Sequence, residues 1–325
     1  MSQIQQKNNL NEKISIAPML DWTDRHFRYF LRHITHHAVF YTEMIAMQAI
    51  ILGRRDQLLQ YDTSEHPLIL QVGGSDPRLM AECAKIATDY GFKGINMNAG
   101  CPSSRVQAGR FGAILMKTPD LVADCVEAMR LVTPLPISVK TRISLADVGG
   151  DGFDQLFRFA DRVHLAGCAR LIVHARQARL NWTPKDNRGD RLKLDYGVVY
   201  RLKKSFPDMP VSINGNILSL TAIETHLKHV DGVMIGRWAY GNPYALIDID
   251  RLFYNDFHPI LKRSAILHKM IPYLHDNQSR LSVILPHLAG LFHACPMAKE
   301  YRQTLMSRDL TALSVFAKNA DSDGF

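Results

Sequence analysis

The chain reads as an α/β protein, a (β/α)₈ TIM barrel followed by a small all-helical C-terminal domain. Three observations predict it. Eight short apolar runs, each ending in a polar residue or glycine, alternate with helix-like stretches over about 240 residues, the size and order such a barrel needs. The ends of those runs carry most of the unusual polar chemistry in the chain, and this fold builds its site from the C-terminal ends of several strands. After about Asn255 the strand signals stop and only helical spacing continues. A doubly wound sheet is the alternative packing of the same alternation.

In order, the strand-like runs are Ile14 to Met19, Val39 to Thr42, Leu68 to Val72, Gly94 to Met97, Ile137 to Lys140, Leu171 to His174, Val211 to Asn214 and Gly232 to Ile235. Helices are expected at Asp24 to Arg32, Ile45 to Arg54, Pro77 to Tyr90, Pro119 to Val132, Phe153 to Ala166, Tyr196 to Ser205, Leu220 to Leu227 and Pro243 to Phe253. The barrel is thereby placed at residues 14–255. Residues 256–310 form the helical domain, with apolar residues at helical spacing in Phe257 to His275, Ser279 to His293 and Met297 to Met306. Residues 1–13 are polar, rich in Gln and Asn, and expected to be flexible, with no apolar stretch of a leader or anchor. Residues 311–325 end in small and acidic side chains and are expected to fray.

Composition narrows the function. With 46% hydrophobic residues, the 325-residue chain can bury a large core. No run approaches the roughly 18 apolar residues of a membrane helix. The five cysteines contain no Cys-x-x-Cys pair, which argues against a disulfide framework and a thiolate zinc site. A monomer without metal in a reducing cytoplasm is the expectation. The formal charge of +8 favours a polyanionic partner.

The pivotal stretch is Asn96-Met97-Asn98-Ala99-Gly100-Cys101-Pro102. It sets a thiol on the loop after the fourth run, between a glycine and a proline. One asparagine is expected to support the loop while the other, on the opposite face, reaches into a site. The remaining strand ends bring Pro18 and Met19, Glu43, Gln71, Lys140 and Arg142, His174 and Arg176, Asn214-Gly215-Asn216 and Gly236-Arg237. Loops after the seventh and eighth strands commonly bind phosphate in this fold, and Arg237 can fork onto it, so a phosphorylated cofactor is implied. No Gly-x-Gly-x-x-Gly or Walker loop is present to form a separate nucleotide domain. The loop Gln177 to Lys193 carries Arg179, Lys185, Arg188, Arg191 and Lys193 around Trp182, a pattern that can track a phosphate backbone and stack a base.

These motifs together resemble the tRNA-dihydrouridine synthases, and most closely their A subfamily. The matching segments are Ala17 to Arg25, Gln71-Val72-Gly73-Gly74, Asn96 to Ser103, Val139-Lys140-Thr141-Arg142, His174-Ala175-Arg176, Asn214-Gly215-Asn216 and Gly236-Arg237. The resemblance implies an FMN-bearing barrel with a helical tRNA-binding domain, NADPH as reductant, and uridines 20 and 20a of the tRNA D-loop as substrate. It also implies FMN contacts at Pro18, Met19, Leu20, Gln71, Lys140, His174, Asn214, Gly215, Asn216, Gly236 and Arg237. Cys101 matches the family's proton donor. Asn98, Lys185, Arg188, Lys299 and Arg302 match positions used for tRNA. The chain departs from the family pattern at Gly94 and Ser104, where acidic residues are usual, and at Pro286-His287, where Arg-His is usual.

The chemistry is consistent with those assignments. A hydride added at C6 of uracil leaves an enolate that needs a proton at C5. An ordinary thiol, with a pKa of about 8.5, still holds that proton at neutral pH. Lys140 suits the electron-rich edge of a reduced flavin. Three other readings share parts of this pattern: a dihydroorotate dehydrogenase-type flavin barrel, a tRNA-binding protein with weak activity, and a Schiff-base aldolase using Lys140.

Overall fold

The protein is described from a computed structural model, which covers residues 10–147, 151–180, 182–183, 185–188 and 192–324. The chain begins β1 (Ile14–Ile16), α1 (Arg25–Arg32), β2 (Val39–Tyr41), β3 (Ile45–Ala46), α2 (Met47–Leu52), α3 (Arg55–Leu58), β4 (Leu68–Gly73) and α4 (Pro77–Asp89). It continues β5 (Ile95–Ala99), α5 (Ser104–Ala108), α6 (Pro119–Arg130), β6 (Ile137–Arg142), α7 (Phe153–Leu165), β7 (Arg170–His174), α8 (Tyr196–Ser205), β8 (Val211–Asn214), α9 (Leu220–Leu227) and β9 (Gly232–Ile235). Helices α10 (Arg237–Gly241), α11 (Ile249–Tyr254), α12 (Arg263–Asp276), α13 (Leu281–Leu288), α14 (Ala298–Ser307) and α15 (Leu310–Ser322) complete it.

Every strand pairing is parallel, and β2 joins β1 to β4 while β1 joins β9, so eight strands close into a barrel. The eight expected strands all form, and the doubly wound alternative falls with closure. Alternation then sorts the side chains. Leu70, Val72, Met97, Val139, Leu171, Val173, Ile213 and Val233 belong to the large core beneath the helices. Ala17, Val39, Tyr41, Ile69, Ile172 and Met234 form a separate cluster that fills the barrel. Below that plug, Glu12 accepts from the Tyr41 hydroxyl (2.7 Å) and pairs with Arg170 (3.2 Å), which donates to Ser212 Oγ (2.8 Å). Residues 10–13 are therefore docked and not flexible as expected, because Glu12 closes the barrel floor; residues 1–9 lie outside the described chain.

The region expected to continue as helix from Ile45 starts as strand. Tyr41 pairs with Ile69 and Ile45 with Val72, so the second strand resumes after an interruption carrying one extra residue. The Thr42 hydroxyl bridges the gap, accepting from Gln71 N (3.0 Å) and donating to the Glu43 carbonyl (2.8 Å).

Helix starts follow the local signals. Asp24, Asp76, Asp195 and Ser219 cap the first turns of α1, α4, α8 and α9, and Pro77 and Pro119 occupy first helical positions. The helical region packs onto the barrel through α13, whose buried His287 lies 3.2 Å from the Asp24 carboxylate and 3.1 Å from the Tyr240 hydroxyl. Nearby, His26 Nδ1 meets the Tyr273 hydroxyl at 2.6 Å and Tyr29 stacks on Tyr273.

The last stretch corrects an expectation. Instead of fraying after residue 310, the chain forms α15, capped by Asp309 and laid against α12 with Leu310, Leu313, Phe316, Ala317 and Ala320 buried. Those residues keep the three-and-four spacing of a helix, which the small acidic residues around them disguise. No helix among the described residues is long and apolar enough to cross a membrane.

Candidate active site at the barrel mouth

Strand parity decides which polar residues meet. Gln71, Asn96, Asn98, Ser138, Lys140, Arg142, His174 and Asn214 all fall on the inward register, next to one another across β4 to β8. Asn96 and Asn98 share that face, contrary to the expectation that they point oppositely, since residues two apart on a strand always do. Asn98 supports the loop directly, and Asn96 holds Gln71, the partner of Asn98. Gln71 Nε2 donates to Asn96 Oδ1 (2.6 Å), Asn98 Nδ2 donates to Gln71 Oε1 (2.9 Å), and Asn96 Nδ2 donates to Ser138 Oγ (2.9 Å).

Asn98 Oδ1 accepts from the backbone N–H groups of Gly100 (3.2 Å) and Cys101 (3.0 Å), which turns the chain out of β5 at the thiol. The Cys101 carbonyl accepts from Ala113 N (2.8 Å). Arg142 Nε donates to the Gly100 carbonyl (3.1 Å), and its Nη1 donates to the carbonyls of Gln177 (3.0 Å) and Asn187 (3.2 Å). One buried guanidinium thus fixes the cysteine loop against the basic loop. Cys101 stays partly exposed, whereas burial pushes the Cys83, Cys125 and Cys168 thiols up to about 12. Those three are packing residues.

Lys140 Nζ donates to Asn214 Oδ1 (3.1 Å), and Asn214 Nδ2 donates to the Met234 carbonyl (2.8 Å). Burial and the Arg142 guanidinium push Lys140 down to about 7, while Cys101 pulls the other way. His174 is held well below its ordinary value, first by burial and then by Arg142, Lys140, Arg176 and Arg237, so it is a neutral imidazole. Gly215 (φ 132°) and Asn216 (φ 50°) turn sharply after β8. A Cβ on Gly215 would lie 2.9 Å from Leu194 and 3.0 Å from His174, so only glycine fits. The Gly215 carbonyl accepts from the Tyr196 hydroxyl (2.7 Å), and Arg237 reaches Asn216 Oδ1 at 3.4 Å.

Met19 is fixed by its N–H to Thr23 Oγ1 (2.8 Å), while Leu20 is 68% exposed at the rim. Pro18 and Gly236 complete the β1 and β9 ends. Trp22 stacks on Tyr240 with ring centroids 4.5 Å apart. Glu43, whose carboxylate accepts from Asp21 N, is raised above the usual carboxylate range by burial. It lines a 290 Å³ cavity beside Leu20, Arg28 and Met44.

The basic loop is organised around Asn187, a residue that no sequence signal singles out. Its side chain is fully buried, accepts from Arg179 N (2.8 Å) and donates to the Arg179 carbonyl (2.8 Å). The Arg179 guanidinium lies 4.9 Å from the Trp182 ring centre. Lys185 is exposed; Arg188 closes the short turn Asp186–Arg188, its side chain and Arg191 lying outside the described residues. Lys299 and Arg302 are exposed on α14, and the mouth residues do not include them. Gln107, which donates to the Pro102 carbonyl (2.8 Å), joins Arg142 as a brace of the cysteine loop, and its partner is a carbonyl that only the folded loop brings to it.

The residues present suit a flavin mononucleotide. Gln71 and Asn98 each spend one amide N–H within the network and retain a second, giving donors for a polar ring edge. Lys140, Arg176 and Arg237 supply positive charge to the same mouth, as an anionic phosphate requires.

Comparison with known proteins agrees with this geometry. Residues 15–321 match the family model described as Dihydrouridine synthase (Dus). The chain is 47% identical over 306 residues to the tRNA-dihydrouridine(20/20a) synthase of Shewanella oneidensis, covering 93% of this chain and 90% of the relative. It is 48% identical over 303 residues to the synthase of that name from Synechocystis sp., covering 92% and 90%. The same name belongs to a Vibrio cholerae relative, 46% identical over 296 residues, covering 90% and 89%. Among solved structures, a 2-naphthoyl-CoA reductase complex shares the fold with a TM-score of 0.56 at 9% identity, over 73% of this chain and 49% of that one. The protein is an oxidoreductase with its polar residues gathered over a closed parallel barrel, and the chain belongs to the dihydrouridine synthase family.

Proposed function

We propose that this protein is an FMN-dependent, NADPH-consuming tRNA-dihydrouridine synthase acting on uridines 20 and 20a, the activity its relatives are named for. The observation that carries the reading is Cys101, a partly exposed thiol on a braced loop at the barrel mouth, at the end of the strand that pairs with the Lys140 strand. When bound, FMN supplies the hydride that saturates the uracil C5–C6 bond and is restored by NADPH.

The chain's residues do the rest. Gly215, Asn216, Gly236 and Arg237 hold the phosphate, and Pro18, Met19 and Leu20 wall the ring. Gln71, His174 and Asn214 orient its polar edge, with Lys140 presenting charge to it. Lys140 is poised near 7 in the free protein, so an anionic partner draws a proton onto it. A lysine of that pKa also suits a Schiff base, but family membership and the surrounding cations favour a redox site. Cys101 hands its proton to C5 as general acid, and Asn98, beneath it, faces the base.

The uridine must leave its stack to reach the mouth, at a cost of a few kcal/mol. Lys185, Arg188, Lys299 and Arg302 offset that cost with phosphate contacts, and the helical region serves as the tRNA-binding domain. The net charge of +8 supports a polyanionic substrate. The enzyme acts as a cytoplasmic monomer, a setting that suits five free cysteines.

The test is direct. Purified protein should release FMN on denaturation and, with NADPH, convert uridines 20 and 20a of unmodified tRNA, mapped by mass spectrometry. Flavin-free protein, or dihydrouridine at another position only, would overturn the assignment.

A further inference from the structure

We propose a divalent transition-metal site of the zinc class, built from His36, Asp256 and His258 on the side of the barrel opposite its mouth. His36 lies in the turn entering β2, and Asp256 and His258 lie in the segment between α11 and α12 that leads from the barrel to the helical region. One donor atom from each residue lies within 4.8 Å of the other two. His258 Nδ1 is 3.2 Å from Asp256 Oδ2, and the His36 and His258 rings stack with centroids 4.0 Å apart at 18°.

The surroundings fix the turn that carries His36 and the Asp256 carboxylate, leaving the His36 ring free to turn. Asp250 accepts from Thr35 Oγ1 (2.7 Å) and His37 N (3.3 Å), fixing the turn that carries His36. Asp256 Oδ1 accepts from His258 N (3.1 Å), and His37 Nε2 contacts Asp256 Oδ2 at 2.8 Å, orienting the carboxylate. Arg32, the nearby cation, points elsewhere, donating to the carbonyls of Thr35 (2.9 Å), Ala38 (3.0 Å) and Glu65 (2.9 Å).

Two imidazoles and a carboxylate form a nitrogen–oxygen donor set suited to Zn²⁺, and softer thiolate-selecting metals find no sulfur here. Tetrahedral zinc with bonds of about 2.0–2.1 Å places its donors about 3.4 Å apart. Coordination requires His36, the exposed member, to leave its stack on His258 and turn a ring nitrogen toward the ion. Three protein ligands leave the fourth position to water, so the ion exchanges. Its effect is to clip the linker of the helical region to the turn entering β2, away from the redox chemistry and independent of it.

The test uses untagged, full-length, flavin-loaded protein freed of metal with a chelator and titrated with ZnCl₂ by calorimetry. A single saturable zinc per chain is expected, with a rise in Tm that His36→Gln and His258→Gln each weaken by about tenfold or more in affinity. Flavin content and circular dichroism establish that both variants fold. Co²⁺ in place of zinc should give ligand-field bands without thiolate charge transfer. Absence of stoichiometric binding, affinity unchanged in both variants, or a thiolate signature that moves the metal to Cys101 or Cys295 would each overturn the site.

Discussion

Lys140 and Arg237 illustrate how single residues carry the proposed cofactor site. Arg237 stands at the start of α10 beside the Gly215–Asn216 turn, positioned to meet a phosphate through a charge-assisted fork. Such a contact is worth about 1.5 to 3 kcal/mol. Arg237→Ala should therefore bind FMN about tenfold to a hundredfold more weakly, read by fluorescence titration of apoprotein; an unchanged Kd would remove it from the site. For Lys140 the prediction concerns pH. Its free-protein value of about 7 should rise when an anionic partner binds, so binding takes up a proton. FMN affinity should then fall as pH increases above about 7, toward the higher value of the complex. Lys140→Gln should flatten that dependence, and a profile identical to wild type would contradict the pairing.

At the scale of elements, the most informative feature is the fastening of the β5 and β7 loops by Arg142, Gln107 and Asn187. The strands and the residues at their ends were legible because apolar runs ending in polar residues leave a strong pattern, and inward parity then selects the polar set. The braces were not, since their partners are carbonyls brought together only by closure of the barrel. Asn187 looks like an ordinary loop residue until the backbone of Arg179 and Thr183, eight and four residues earlier, folds around it. Similarly, α15 was hidden because its buried face alternates with Asp, Asn and Ser, and Glu12 because a lone carboxylate ahead of a strand says nothing of Arg170.

The basic loop itself gives a test at this scale. Replacing Lys185 and Arg188 together with alanine should lower the salt dependence of tRNA binding by a slope of about 0.9 per duplex contact, or about 0.7 for single strands. NADPH oxidation without tRNA should not change. An unaltered salt slope would place the loop outside the docking surface.

The helical region meets the barrel along a seam that holds His26, His33 and His287, and its buried histidines contribute to the response to acid. Burial is the leading cause that holds both His26 and His33 at about 4, against an ordinary value near 6.5. Between those values the unfolded chain binds the extra protons, so stability falls as pH drops from about 6.5 toward 4. The slope should be on the order of 1 kcal/mol per pH unit for each fully coupled histidine. Urea denaturation across that range should show the loss, and His26→Gln should reduce its steepness. A flat profile would mean that these histidines are not buried neutral in solution. The departure at Pro286-His287 fits the same seam, because His287 spans from Asp24 to Tyr240 and packs edge-on against Phe27.

The role of Cys101 as proton donor is isolated by one measurement. Enzyme reduced in advance without oxygen is mixed with unmodified tRNA, and the return of visible flavin absorbance is followed together with dihydrouridine formation. Cys101→Ala keeps Lys140, Gln71 and the phosphate loops, so its flavin should bind and accept electrons from NADPH at close to the normal rate. Its reaction with tRNA should slow by about 10² to 10⁴, the usual cost of losing a general acid, and Cys101→Ser should be similarly impaired because an alcohol gives up its proton far less readily. If Cys101→Ala instead turns over tRNA as fast as wild type while forming dihydrouridine, the thiol is a structural part of the loop and the proton comes from another group.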